Sequence, residues 1–140
     1  MLTVSREVRI EWGDCDPAGI VFYPRYFAMF DAATGGLFEA ALGMTKFEWT
    51  KKYGIVGIPM VNTGARFFIP SRYGETITIE TQATAVRRSS FDVSHRVLKE
   101  GALAIEAHET RVWTGRHPDD PARITSVPIP QDVVAALSVG

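Results

Sequence analysis

A single cysteine in 140 residues rules out any disulfide within the chain, and a reducing cytoplasm is the expected compartment. The three histidines, His95, His108 and His117, share no metal-ligand spacing, so each is read as structural or solvated and no metal is expected. No phosphate-cradling glycine loop or dinucleotide fingerprint occurs, and no cofactor is expected. No apolar run is long enough to span a bilayer, and Met1-Leu2-Thr3-Val4-Ser5-Arg6-Glu7 lacks the apolar centre of a secretion signal. The formal charge is −1, which gives no broad attraction to nucleic acid or to a membrane surface. Local basic patches remain able to bind a phosphorylated ligand. Repeats, low-complexity tracts and linkers are absent, so residues 1–140 are read as one domain.

What is present is ordinary for a globular protein: 46% apolar and 22% charged residues. Val4 to Trp12 predicts a strand, because Val8, Ile10 and Trp12 alternate with Glu7, Arg9 and Glu11. Asp16-Pro17-Ala18-Gly19 reads as a turn. A long helix is expected from Pro24 to Leu42, stopped by Gly43, with proline at the first position and apolar or small residues on most faces. Gly35-Gly36 within it is read as permitting close packing against a strand. Thr45-Lys46-Phe47-Glu48 fits a capping box and opens a short helix ending at Gly54.

Four strands are expected next: Pro59 to Ile69, an edge or irregular strand because of its proline; one carrying Ile77, Ile79, Ala83 and Ala85; Ser90 to Leu98; and Leu103 to Trp113. Thr114 to Ala122 reads as a polar loop and Ile129 to Leu137 as a short closing helix. This order gives an α+β protein with one helix on an antiparallel sheet.

The most informative stretch is Gly13-Asp14-Cys15-Asp16-Pro17-Ala18-Gly19-Ile20-Val21 followed by Tyr23-Pro24. It puts a carboxylate beside the unpaired N–H groups of a helix start, a device suited to acyl transfer. Read alone, Asp16 is an ordinary turn former, Gly19 either lets the chain pass close to a substrate or satisfies the turn, and Tyr23 is an amphipathic aromatic at the helix N-cap. Cys15 is read as a small buried hydrophobe rather than a nucleophile, because no base partner is evident. Asp31 is an acid on an apolar helix stretch, facing either solvent or a helix-end partner. Arg87 and Arg88 form a basic pair, and any one of Arg87, Arg88 and Arg123 can instead pair with a surface acid.

The motif and element order resemble the hotdog fold, in which an antiparallel sheet wraps one long helix. More closely, they resemble the Pseudomonas-type 4-hydroxybenzoyl-CoA thioesterase family. Phe30-Asp31-Ala32-Ala33, Gly54-Ile55-Val56-Gly57 with Pro59, and Thr78-Ile79-Glu80-Thr81 carry the likeness along the chain. So do Arg87-Arg88-x-Ser90-Phe91 and Arg123 ahead of Pro128.

The resemblance implies an acyl-CoA thioesterase with an aryl-CoA substrate and Asp16 as nucleophile or general base. It implies the Tyr23 amide as the oxyanion contact and Asp31 as an acceptor in the acyl pocket. It gives Arg87, Arg88 and Arg123 to the coenzyme A phosphates. The family's pocket tryptophan aligns with Lys46, leaving Phe47 or Trp49 to take its place, and an aliphatic acyl group is the alternative substrate. The resemblance further implies a homotetramer built as a dimer of dimers, with sites at subunit interfaces. Two rival classes are a non-catalytic acyl-CoA binding protein and a hotdog dehydratase. The absence of histidine between Gly13 and Leu42 disfavours the second.

Overall fold

A computed structural model describes residues 1–140. The strands are β1 (Thr3–Arg9), β2 (Met60–Phe67), β3 (Thr76–Val86), β4 (Ser90–Lys99) and β5 (Ala102–Val112). They form one antiparallel sheet in the order β1-β3-β4-β5-β2. A long helix α1 (Tyr23–Leu42) lies on one face, followed by α2 (Lys46–Tyr53). A short hairpin of β6 (Thr114–Arg116) and β7 (Ile124–Ser126), then α3 (Gln131–Leu137), complete the chain. No helix is long and apolar enough to cross a membrane.

Helical periodicity sets which face of α1 is buried. Tyr26, Phe30, Ala33, Thr34, Leu37 and Phe38 form the buried stripe. Strand alternation supplies the opposing surface: Ile77, Ile79, Thr81 and Ala83 of β3 point inward, as do Phe91, Val93, His95 and Val97 of β4. One end of the core gathers around Phe30, the other around Phe38, Trp49 and Trp113. Phe38 and Trp49 stack with ring centroids 5.2 Å apart, and Trp49 stacks on Trp113 at 5.7 Å.

Several boundaries differ from the sequence expectation. The first strand ends at Arg9, and Trp12 opens a 3-10 turn, Trp12–Asp14, with 70% of its surface exposed. Period two alone placed Trp12 on the buried face, whereas the Asp14 carboxylate accepts the Glu11 N–H at 2.9 Å and curls the chain away. The long helix begins at Tyr23, with Phe22 as its N-cap and Pro24 at the second position. The loop expected from Thr114 opens with β6, because Thr114, Gly115 and Arg116 pair with Ser126, Thr125 and Ile124. Gly35 has nothing within 4 Å of where a Cβ would stand, so close packing does not explain it.

The capping box is present: Thr45 Oγ1 accepts the Glu48 N–H at 3.3 Å and Glu48 accepts the Thr45 N–H at 3.1 Å. The edge assignment of the strand after Pro59 is also correct, since β2 pairs only with β5.

Phe38→Ala is expected to destabilise the fold by about 3–5 kcal/mol, read as a lower urea midpoint at unchanged slope. Gly35→Ala is expected to raise stability by roughly 0.5–1 kcal/mol. A loss at Gly35 in the same titration would show a packing demand at that site.

Candidate active site

The segment between β1 and α1 is a tight hairpin. Cys15 and Val21 form an antiparallel bridge, the Asp16 N–H donates to Ile20 O at 2.9 Å, and the Gly19 N–H donates to Asp16 O at 2.9 Å. Gly19 closes the turn with φ +82°, a left-handed conformation that a side chain would strain. Asp16 Oδ1 accepts the Ala18 N–H at 2.8 Å, an Asx turn that fixes the carboxylate orientation and leaves Oδ2 without a partner in the chain. The Val21 N–H donates to Ser71 O and the Phe22 N–H to Asp14 O, tying the hairpin to the segment before β3 and aiming the chain into α1.

The start of α1 has no side-chain cap, and the Tyr23 N–H has no acceptor in the chain. Tyr23 borders a cavity of about 200 Å³ walled by Ile20, Val21, Tyr26, Phe67 and Ser71. Asp16, Gly19 and Tyr23 therefore belong to one hairpin-and-helix unit. An oriented carboxylate and a free dipole-aligned N–H together suit attack on a carbonyl whose oxygen becomes negative.

Asp31 lies two turns further along α1. Its side chain is 58% exposed, and its partner comes from β5 rather than a helix end: Arg111 Nη2 donates to Asp31 Oδ1 at 2.8 Å. Phe47 is 78% exposed on α2, whereas Trp49 is fully buried and cannot present its ring to a ligand. Arg87 grips Asp92 with two bonds at 2.7 and 3.0 Å, the surface-acid alternative weighed from sequence. Arg88 and Arg123 are exposed and make no side-chain hydrogen bond within the chain. Arg87 and Arg88 follow β3, whose 11 residues run about 30 Å away from the Asp16 hairpin.

A buried polar network went unread in the sequence. The register pairs Thr81 with His95 directly and sets Glu109 diagonal to His95 on the inward face. His95 Nε2 lies 3.1 Å from Glu109 Oε2, and Thr81 Oγ1 lies 2.9 Å from His95 Nδ1. Thr34 of α1 donates to Glu109 Oε1 at 2.6 Å, and Arg111 Nε donates to the same oxygen at 2.8 Å. Burial pushes the Glu109 carboxyl up, but hydrogen bonds from His95, Arg111 and Thr34 outweigh it and hold the pKa down at about 2. Charged residues at 109 and 111, in phase with Ala107, were the available signal. No group of three or more His, Cys, Asp and Glu with metal-holding geometry occurs.

Because Glu109 titrates lower in the folded state than its ordinary 4.5, it stabilises the fold above that value and the contribution is lost as pH falls toward 2. Glu109→Gln is expected to be less stable at pH 7 and to show a shallower stability loss between those pH values. Parallel curves for the two proteins in pH-dependent urea unfolding would contradict this assignment.

Comparison with known proteins gives concordant matches. The thioesterase-like superfamily profile covers residues 10–137. The 4-hydroxybenzoyl-CoA thioesterase of Pseudomonas sp. strain CBS-3 is 34% identical over 97% of this chain and 98% of its own. A solved Asp-to-Asn variant of 4-hydroxybenzoyl-CoA thioesterase, complexed with 4-hydroxybenzoyl-CoA, superposes with a TM-score of 0.87 at 34% identity, covering 97% of this chain and 99% of that one. A gentisyl-coenzyme A thioesterase structure superposes at 0.80 with 31% identity, covering 97% of this chain and 100% of the other.

Proposed function

The chain belongs to the thioesterase-like superfamily and has the hotdog fold, and from that premise we propose that it hydrolyses an aryl-CoA thioester, with 4-hydroxybenzoyl-CoA first, to the free acid and coenzyme A. The observation that carries the reading is the free Tyr23 N–H at an uncapped helix start, one hairpin away from an oriented Asp16 carboxylate. The named activities of the 4-hydroxybenzoyl- and gentisyl-CoA relatives support the aryl class.

In the proposed reaction the acyl carbonyl oxygen accepts the Tyr23 N–H, and the helix dipole favours the charge that develops there. Asp16 acts in one of two ways. As nucleophile it attacks the carbonyl carbon, expels the thiolate of coenzyme A and leaves a mixed anhydride that water opens. As general base it takes a proton from the attacking water. Either way the C–S bond breaks, the thiolate leaves with the electron pair, and the hydroxyl of water ends on the acid. A thiolate is a good leaving group, so no strong general acid is required.

We further propose that the domain works as a homodimer. Edge strand β2 exposes apolar side chains, Val61 at 61% among them, along unpaired backbone groups. Two-fold pairing of β2 with β2 of a second copy would set the Phe67 end of one strand beside the Met60 end of the other. The Tyr23 cavity lies at the first end, and Arg111, opposite Met60, at the second. Each ligand would thus touch both chains, and Arg87, Arg88 and Arg123 would serve a neighbour's coenzyme A. Pairing of dimers into a tetramer rests on the resemblance, and a cytoplasmic site agrees with the lone cysteine.

The test is thiol release from 4-hydroxybenzoyl-, benzoyl-, phenylacetyl- and aliphatic acyl-CoA substrates. Turnover is expected on the aryl members, falling at least about a hundredfold in Asp16→Asn. Tight binding without turnover by the unaltered protein would instead establish the non-catalytic acyl-CoA binding protein. Val61→Glu is expected to dissociate the dimer in light scattering and to abolish turnover together with it.

A further inference from the structure

Three buried side-chain polar atoms have no hydrogen-bond partner in the chain: Tyr26 Oη, Ser71 Oγ and Trp49 Nε1. Trp49 sits in the aromatic end of the core and lines no cavity. The other two belong to the wall of the Tyr23 cavity. Tyr26 is 4% exposed and Ser71 1% exposed. A buried hydroxyl without a partner is costly, and native folds keep few of them. Here two share one cavity, one helical turn from a free N–H.

Packing requires neither hydroxyl. Tyr26 lies on the apolar stripe of α1, its ring 5.8 Å from that of Phe67 and 6.4 Å from that of Phe30. Phenylalanine would fill the same space. Ser71 is held through its backbone, whose carbonyl accepts the Val21 N–H at 2.9 Å. Burial pushes the Tyr26 hydroxyl up from its ordinary 10, and the Ser71 hydroxyl and N–H facing it pull part of that back. The two hydroxyls are neighbours, yet neither completes a hydrogen bond to the other. A group that both donates and accepts would satisfy the pair.

The cavity narrows what that group is. Its other walls are apolar, Ile20, Val21, Phe67 and Ile69 among them, and no acid, lysine, arginine or histidine lines it. A charged guest would enter unpaired, so the guest is neutral. Water meets the description, and hydrolysis consumes one at every turnover. The cavity of about 200 Å³ exceeds what one water needs, on the order of 15 Å³. A small alcohol brings the same hydroxyl together with an apolar tail that suits the walls.

We infer that Tyr26 and Ser71 hold the acyl acceptor, and that the site takes short primary alcohols in place of water, so that the protein also forms acyl esters. The inference rests on the acyl-CoA hydrolase reading above and adds to it a second activity and two residues that touch the acceptor. Tyr23 borders the same cavity, so an acceptor held there lies in the compartment where the Tyr23 N–H would meet the carbonyl. The balance is that of hydrolysis with an alcohol for water. The alcohol oxygen bonds to the acyl carbon, the C–S bond breaks with its electron pair on sulphur, and the alcohol proton ends on the thiol of coenzyme A.

The experiment measures free acid and methyl ester formed from benzoyl- and 4-hydroxybenzoyl-CoA in water containing methanol. It uses the unaltered protein, Tyr26→Phe and Ser71→Ala, with thermal unfolding of each. The unaltered protein is expected to form ester above the uncatalysed rate, in proportion to methanol. Each variant loses an unpaired buried hydroxyl and is expected to unfold no earlier than the unaltered protein. In both, the ester-to-acid ratio is expected to rise about threefold or more, because water loses a partner while methanol keeps its apolar contact. The ratio compares two acceptors on one enzyme, so neither the folded amount nor the rate-limiting step moves it. Acid without ester from the unaltered protein, or an unchanged ratio in both variants, overturns the inference while hydrolysis stands. An effect seen with 4-hydroxybenzoyl-CoA and absent with benzoyl-CoA gives the pair to the ligand's own hydroxyl and also overturns it. Absence of thiol release from every acyl-CoA overturns the hydrolase reading and this inference with it.

Discussion

Glu109 places a negative charge in the middle of the hydrophobic layer between sheet and helix, and much of the structure is arranged around keeping it there. A lone buried carboxylate would cost more than a domain of this size tolerates. His95 from β4, Arg111 from its own strand and Thr34 from α1 share the charge. Such networks contribute little net stability compared with a well-packed apolar core, but breaking one is expensive. Their geometric effect is larger. Thr34 fixes the rotation of α1 over the sheet, and Asp31, one turn away and bonded to Arg111, fixes it again. The direction in which the helix start points is therefore set from inside the core.

The two ends of α1 do different work as a result. Toward its C-terminus, Leu37 and Phe38 sit among Trp49, Trp113, Phe91 and the apolar face of α3, and the helix is sealed. Toward its N-terminus, Tyr26 and Phe30 are buried but Phe22 and Tyr23 are exposed, and the chain arrives through a hairpin rather than a capping side chain. A rigid base and an open tip let backbone groups at the tip act on a ligand without the helix shifting.

Much of this was legible from residue order, for identifiable reasons. Alternation in β3, β4 and β5 is strong because one face of the sheet is solvated, so period two reads cleanly. The Thr45 box and the glycine stops at Gly43 and Gly54 are local and were found. Trp12 was misplaced because alternation continues for three residues past Arg9, where β1 ends, and the Asp14 carboxylate breaks it. Trp49 and Phe47 are two residues apart on a short helix and are told apart only by which side the core lies on. The contacts of Arg111 were invisible because its partners, Ile58, Glu109 and Asp31, come from three separate parts of the chain.

The start of α1 is also selective in a way that the idea of a general anion site would miss. Among its first three positions Pro24 has no N–H at all, and the Arg25 N–H is taken by Phe22 O at 2.8 Å. Tyr23 is left as a single donor. A phosphate or sulfate, which needs several donors converging on several oxygens, finds one point of attachment. A carbonyl, which presents one oxygen, can be held at that one point. On the proposed reading, the proline thus tunes the denticity of the site toward a monodentate guest and away from polydentate anions.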